Sequence, residues 1–164
     1  MNSSTHHYPP MTAVALTAAS RQATTSLIEL TIYFAYQPGQ PEFDYPTDTN
    51  QAFRAVVVDA LLPDFSLTDH ELIRALFAEE MTCEAAIQQH ESLYQLGFYL
   101  YELGQLEDTF RLYEAKYRIY SMDVGILMDR EKITVRHKVP DVIRYVKATF
   151  LEQPLLRARY PTIL

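Results

Sequence analysis

The chain has 164 residues, of which 48% are apolar and 21% are charged, and its net charge is −7 at pH 7. This length predicts one domain with its own hydrophobic core, and this composition excludes a disordered chain. A single cysteine, Cys83, excludes an intramolecular disulfide and predicts a reducing, cytoplasmic location, and no apolar run reaches the roughly 20 residues that span a membrane.

The negative charge is concentrated in the first two thirds of the chain. Through Gly104 there are three basic and thirteen acidic residues, a balance of −10, whereas the remainder has eleven basic and eight acidic residues, a balance of +3. Because a surface that follows nucleic-acid phosphates needs clustered positive charge, we expect no nucleic-acid partner, although the C-terminal third could carry a local basic patch. The plain alternative is that these charges are ordinary solvated helix faces.

The first 50 residues predict a flexible terminus, a helical region and a loop. Residues 1–10 contain Ser, His and Pro without apolar periodicity, and residues 11–36 contain neither Pro nor Gly. The apolar spacing at 27, 30 and 34 favours a buried helix, with a strand as the alternative around Ile32. Three prolines and a glycine then predict a loop over 37–50. Its middle holds Phe43, Asp44 and Tyr45.

Two further helices are predicted before residue 95. The first begins after Asp48 and ends at Pro63. The second begins with a capping box, in which Thr68 is followed three residues later by Glu71. Its apolar stripe contains Leu72, Leu76, Cys83, Ile87 and Tyr94.

Residues 93–120 predict a helical hairpin that turns at Gly104. The first arm carries Leu93, Leu96, Gly97 and Leu100. The second arm carries an aromatic stripe that we expect to lie on the first, at Leu106, Phe110, Tyr113, Tyr117, Tyr120 and Val124. The hairpin resembles one tetratricopeptide unit, with Leu-Gly and an aromatic residue at the family's offsets, although Leu93 replaces the opening Trp and the closing Pro is absent.

The C-terminal region predicts one strand and one helix. Residues 133–137 (ITVRH) are the best strand candidate, a last helix opens at Pro140, and Pro154 begins an irregular tail over 154–164. The complete pattern predicts an all-α fold, a compact bundle of about six to seven helices over residues 11–153.

The stretch from Leu103 to Val146 also resembles a group of small, uncharacterised bacterial helical proteins. These carry an LG–ED–AK–Gly pattern followed by a final Tyr-containing helix. Some small acidic helical proteins of this kind resemble immunity proteins, which neutralise a toxin from a neighbouring gene. The resemblance therefore implies a helical fold and, as one interpretation, a basic toxin as the partner.

The sequence contains no recognised catalytic or metal-binding motif. Glu80, Glu84 and His90 lie close together but form neither a zinc pattern nor a Glu-x-x-His pair. Cys83 lies on an apolar stripe, which predicts an unreactive thiol rather than a nucleophile paired with His90. We therefore expect no enzyme, cofactor or metal. The alternative is a helical metal-dependent enzyme or small-molecule binder that uses Glu80, Glu84 and His90.

The predicted function is protein–protein interaction without catalysis. Exposed aromatic residues in a Pro-rich loop have little folding role, so the loop is the preferred contact. An acidic helix face would steer a basic partner. The predicted partner-binding residues are Phe43, Asp44, Tyr45, Glu79, Glu80 and Glu84. A structural or self-associating domain is a third interpretation. The twelve tyrosines suit an interface, and the tyrosine-rich face of the hairpin could be core or groove.

Overall fold

The structure is a computed structural model that describes residues 11–22, 26–42, 45–89, 92–117 and 130–163. Within these ranges the predicted all-α fold is confirmed. The α-helices are α1 (Ala13–Ser20), α2 (Leu27–Phe34), α3 (Gln51–Leu61), α4 (His70–Ile87), α5 (Leu93–Leu103), α6 (Thr109–Tyr117), α7 (Val139–Glu152) and α8 (Pro154–Arg159). Short 3-10 helices occur at Leu67–Asp69, Leu106–Asp108 and Arg130–Thr134. The same ranges contain no strand, only isolated bridges. None of the described helices is both long and apolar enough to cross a membrane.

The first five helices enclose the main hydrophobic core. Helix α4 packs along α5, α1 packs on α3, and α2 contacts both α3 and α4. The apolar stripe predicted for α4 is confirmed at Leu72, Leu76 and Cys83, which are buried, whereas Ile87 and Tyr94 are only partly buried and Tyr94 lies on α5. The buried side chains that the other four helices contribute to this core include Leu16, Phe34, Leu61 and Leu96, and α6 adds Leu112 and Ala115.

A second, smaller core joins α6 to the C-terminal helices. Phe110 and Tyr113 of α6 pack with Val142, Val146 and Tyr160, and the ring centroids of Phe110 and Tyr160 are 5.3 Å apart. The turn at Gly104 is confirmed, with a left-handed φ of 68° that favours glycine. The expectation that the aromatic stripe lies on α5 is wrong, because Phe110 and Tyr113 pack in this second core and Tyr117 is exposed and contacts Tyr113. Tyr120 and Val124 lie outside the described residues.

The strand predicted at 133–137 is wrong. Arg130–Thr134 forms a 3-10 helix that packs against both α5 and α6. Val135 and Arg136 then adopt left-handed φ angles of 43° and 61°. This turn buries Val135 in the main core and brings Arg136 within 2.6 Å of Glu102. Burial and ion pairing therefore override the β-branched composition, and a lone strand would have no neighbour for its backbone groups.

The irregular tail predicted from Pro154 is also wrong in its first half. Pro154 is the first residue of α8, a position at which its fixed φ and missing N–H are compatible with a helix. Tyr160, directly after α8, is buried in the second core. The single domain predicted over 11–153 therefore lacks α8 and Tyr160, which complete the second core. The flexible segment predicted over 1–10 lies outside the described residues.

A capping box precedes α4, but two residues earlier than predicted. Ser66 rather than Thr68 is its first member, and Asp69 rather than Glu71 accepts the hydrogen bond from the Ser66 backbone N–H at 2.9 Å. Arg21 donates to the same buried Asp69 carboxylate at 2.7 Å. Arg21 lies at the C-terminal end of α1, far from Asp69 in sequence. Its hydrogen bond to Asp69 favours Asp69 over Glu71 as the acidic member of the capping box.

Candidate functional site: a groove between two cores

A groove of about 1410 Å³ lies where the main core meets the second core. One side is a face of α4 and its C-cap, from Phe77 to Gln88. The opposite side runs from Glu107, in the 3-10 helix before α6, to Tyr117 at the end of α6. Helices α7 and α8 contribute the remaining wall. Half of its eighteen lining residues are apolar or aromatic, namely Phe77, Ala78, Met81, Ala85, Phe110, Tyr117, Tyr145, Leu156 and Tyr160, and the other half are polar or charged.

A buried carboxylate joins α4 to the start of α6 at one end of this arrangement. The Asp108 side chain is inaccessible to solvent, lies 2.6 Å from His70 Nε2 and accepts a hydrogen bond from Arg74 Nε at 2.7 Å. Arg74 also donates to Glu107 at 2.5 Å. Burial by itself lowers the pKa of Arg74, but its hydrogen bonds to Asp108 and Glu107 outweigh that effect and raise it. The cluster therefore fixes the spacing between two groove walls.

A second buried cluster fixes α4 against α2 and α3. Arg54 is fully buried and donates from Nε to Glu80 at 2.7 Å and from Nη1 to the Phe34 carbonyl at 3.1 Å. Its Nη2 lies 2.6 Å from Asp48 Oδ2, an ion pair outside hydrogen-bond geometry. Burial raises the pKa of Glu80, whereas backbone N–H groups and Arg54 outweigh burial at Asp48 and lower its pKa. One guanidinium thus connects three separate segments.

The acidic surface predicted on α4 is wrong at two of its three residues. Glu80 and Glu84 are only 1% and 2% exposed. Glu80 is paired with Arg54 inside the protein, and Glu84 contributes to the floor of the groove. Glu79 is partly exposed and accepts a hydrogen bond from the Tyr36 backbone N–H at 2.7 Å. These carboxylates therefore do not form the continuous exposed face that would steer a partner.

The loop over 37–50 is more ordered than its prolines suggest, and one of its predicted contact residues is exposed. Asp48 Oδ1 accepts hydrogen bonds from the backbone N–H groups of Gln37 and Asn50, each at 3.0 Å. Tyr45 is 74% exposed. Phe43 and Asp44 lie outside the described residues, so the structure places only Tyr45 of this predicted contact.

The alternative metal site has no support among the described residues. They contain no group of three or more His, Cys, Asp or Glu side chains that could hold a metal ion. Glu80 is occupied by Arg54 at 2.7 Å. His90, the third predicted ligand, lies outside the described residues.

We expect Cys83 to be unreactive in the folded protein. It is fully buried, and burial raises the pKa of its thiol to about 12. Because only the thiolate is nucleophilic, Ellman's reagent at pH 8 should label Cys83 slowly in buffer and completely in concentrated urea. Fast labelling in buffer would contradict the buried position.

The same thiol predicts a loss of stability in alkali. Its pKa is raised from 9.0 in the reference state to about 12 in the folded chain. As the pH rises above 9.0, the unfolded chain therefore releases this proton first, and the thiol's contribution to stability declines. A Cys83→Ala variant should show a smaller alkaline decline than the wild type in urea titrations.

Sequence reasoning missed the groove because its residues come from four helices. Ala78, Met81 and Ala85 follow helical spacing on α4, yet this pattern does not show whether a face meets core or solvent. The aromatic stripe on α6 was the one available signal, and Phe110 and Tyr117 of that stripe line the groove. Comparison of the chain with protein-family models, curated proteins and solved structures finds no match.

Proposed function

We propose that the protein is a non-enzymatic interaction module that binds an amphipathic helix of a partner protein in the groove between α4, α6 and the C-terminal helices. The observation that carries this proposal is the size and lining of the groove, about 1410 Å³ with nine apolar or aromatic side chains among its eighteen lining residues. Small-molecule sites generally have volumes of about 300–1,000 Å³, so this groove is large for a metabolite.

The dimensions fit three turns of helix. From Phe77 to Gln88 the α4 wall extends about 16 Å at 1.5 Å per residue. A helix of that length and about 10 Å across occupies roughly 1,200 Å³. Such a ligand would present apolar anchors at positions i, i+3 or i+4 and i+7, a recurring mode of helix recognition in grooves.

The charges along the groove favour a partner with apolar anchors over one held by many ion pairs. Glu107 is paired with Arg74 at 2.5 Å, and Glu114 with Arg159 at 2.8 Å. Arg111 lies 3.6 Å from Asp108. Because these charges have partners within the protein, apolar burial would supply most of the affinity. The acidic excess of the first 104 residues would act at long range, by attracting a basic partner.

An adaptor or an immunity protein would fit this description. In the second case the partner would be a toxin, and the net charge of −7 would speed its capture if it is basic. We place the protein in the cytoplasm as part of the same proposal, which the single free and buried cysteine supports.

We expect an Ala85→Arg substitution to block binding without affecting the fold. Ala85 is exposed and lines the groove, and arginine is nearly as compatible with a helix as alanine. The large side chain would occupy the space of the partner helix and weaken binding by at least about thirtyfold, the effect of losing one hot spot. The matched control is Ala86→Arg, because Ala86 is the next residue, is also exposed and does not line the groove.

Wild type and both variants would be immobilised and exposed to extract from the source cell. Proteins retained by the wild type and by the Ala86→Arg variant, but lost from the Ala85→Arg variant, would be identified by mass spectrometry. Each would then be purified and titrated by calorimetry, together with its isolated helix. If every retained protein binds both variants equally, the groove is not the binding site.

A further inference from the structure

Among the exposed apolar side chains of the described residues, two groups outside the groove differ in the charges beside them, and the first group is aromatic. We define the aromatic patch as Leu62, Phe65, Leu67 and Phe98. Phe65 meets Phe98 edge to face with ring centroids 6.3 Å apart, and Leu62 and Leu67 flank Phe65 in the connection between α3 and α4. Leu62, Leu67 and Phe98 are exposed.

The surroundings of the aromatic patch are acidic. Residues 59–69 contain three aspartates and no basic residue, and Asp59 and Asp64 are exposed. Tyr99 packs under Phe65 with ring centroids 4.3 Å apart, and Asp59 is close enough to help raise the Tyr99 pKa, an increase due mainly to burial. Asp64 pairs with Arg21 at 2.9 Å, but Arg21 also neutralises the buried Asp69.

The second patch has the opposite charge. We define the leucine corner as Leu151 and Leu155, at the junction of α7 and α8, which are 83% and 85% exposed. Lys147 is exposed one turn before Leu151, and Arg157 is exposed two residues after Leu155. Glu152 is the acidic residue at the corner itself. Helices α7 and α8 together carry four basic and two acidic residues; Arg144 pairs with Asp141 and Arg159 with Glu114, so Lys147 and Arg157 are the basic residues that the corner presents.

We propose that the leucine corner of one copy binds the aromatic patch of a second copy, so that the chain associates with itself head to tail. A single kind of contact would cover both apolar patches and would bring basic side chains to aspartates. The two patches differ, so the interface is heterologous, and each added copy leaves one free patch of each kind. Association therefore continues beyond a dimer unless the ring closes.

Lipid is the competing occupant of the leucine corner, since leucines flanked by Lys and Arg also suit an anionic bilayer. A bilayer would leave the aromatic patch uncovered, and the aspartates beside that patch would be repelled by anionic lipid. A second copy accounts for both patches and for their opposite charges, and the structure therefore favours it.

Sedimentation velocity of the full chain over a series of concentrations tests the proposal. We expect the average mass to rise with concentration above that of one chain, and to rise less at high salt because the charged contacts are screened. A corner variant, Leu151→Asp with Leu155→Asp, and a patch variant, Leu62→Asp with Leu67→Asp, should each weaken association by about tenfold per leucine or more. The matched control is Ile28→Asp, since Ile28 is 82% exposed on α2 and belongs to neither patch.

Mixing the two variants gives the decisive result. Each variant retains the patch that the other lacks, so an equimolar mixture should form a heterodimer that grows no further, although each variant alone stays monomeric. Circular dichroism would confirm that both variants are folded before mixing.

Several outcomes would overturn the proposal. These are a wild type that stays monomeric at every concentration, variants that associate like the wild type, or a mixture that forms no heterodimer. If the wild type is monomeric but co-sediments with vesicles containing phosphatidylserine, and the corner variant does not, the leucine corner binds a membrane surface instead.

Discussion

Replacing Arg54 by methionine is expected to lower the free energy of unfolding by about 3–5 kcal/mol. Arg54 is fully buried, and its guanidinium contacts Glu80 at 2.7 Å, Asp48 at 2.6 Å and the Phe34 carbonyl at 3.1 Å. Methionine keeps most of the side-chain volume but leaves two buried carboxylates without their counter-charge. The measurement is urea unfolding followed by circular dichroism.

Two further variants separate the lost charge from the lost side chain. Arg144→Met removes an arginine that is largely exposed and pairs with Asp141 at 3.2 Å, so it should change stability by less than about 1 kcal/mol. Arg54→Met combined with Glu80→Met should recover part of the loss, since it removes one unpaired carboxylate and keeps the site filled. If the Arg54 and Arg144 variants were equally stable, the buried cluster would not be a major contributor.

Replacing Asp108 by alanine is expected to cost about 1.5–3 kcal/mol, the range for hydrogen bonds to charged groups. The Asp108 carboxylate is inaccessible to solvent, lies 2.6 Å from His70 Nε2 and accepts from Arg74 at 2.7 Å, and it joins the start of α4 to the start of α6. The cost is below that expected for Arg54, because Arg74 keeps its contacts with Glu107 and Glu71. Urea unfolding again gives the value.

Glu107→Ala is the matched control for this substitution. Glu107 pairs with the same Arg74, at 2.5 Å, but it is more than half exposed. Its removal should cost less than about 1 kcal/mol, because solvent screens exposed ion pairs. A double-mutant cycle with His70→Ala would measure the His70–Asp108 interaction directly, and a coupling energy near zero would contradict the structural role given to this pair.

Both clusters bear on the proposed groove, because they set the position of α4. Arg54 connects α4 to α2 and to the 37–50 loop, whereas Asp108 connects α4 to α6. The groove lies between α4 and the second core, so weakening either cluster should loosen one of its walls. Partner binding by the Asp108→Ala variant is therefore expected to fall even where the chain remains folded.

Local patterns predicted the helices well and their contacts less well. The stripe at Leu72, Leu76 and Cys83 identified the buried face of α4, and Gly104 identified the turn, because helical periodicity and left-handed φ depend on near neighbours in the chain. The ITVRH strand failed because Val135 enters the main core through a left-handed turn, a contact that local composition does not reveal. Pro154 indicated a helix end equally well as a helix start.

The sequence by itself determined that this chain is all-α and acidic, with one cysteine and an exposed Tyr45 in a proline-rich loop. Only the tertiary structure decided which charges are buried. Glu79, Glu80 and Glu84 look alike in the sequence, yet Glu80 faces Arg54 across the core and Glu84 lies in the floor of the groove. The physical reason is that the environment of a carboxylate depends on side chains brought from distant segments, here 26 residues away for Arg54 and Glu80.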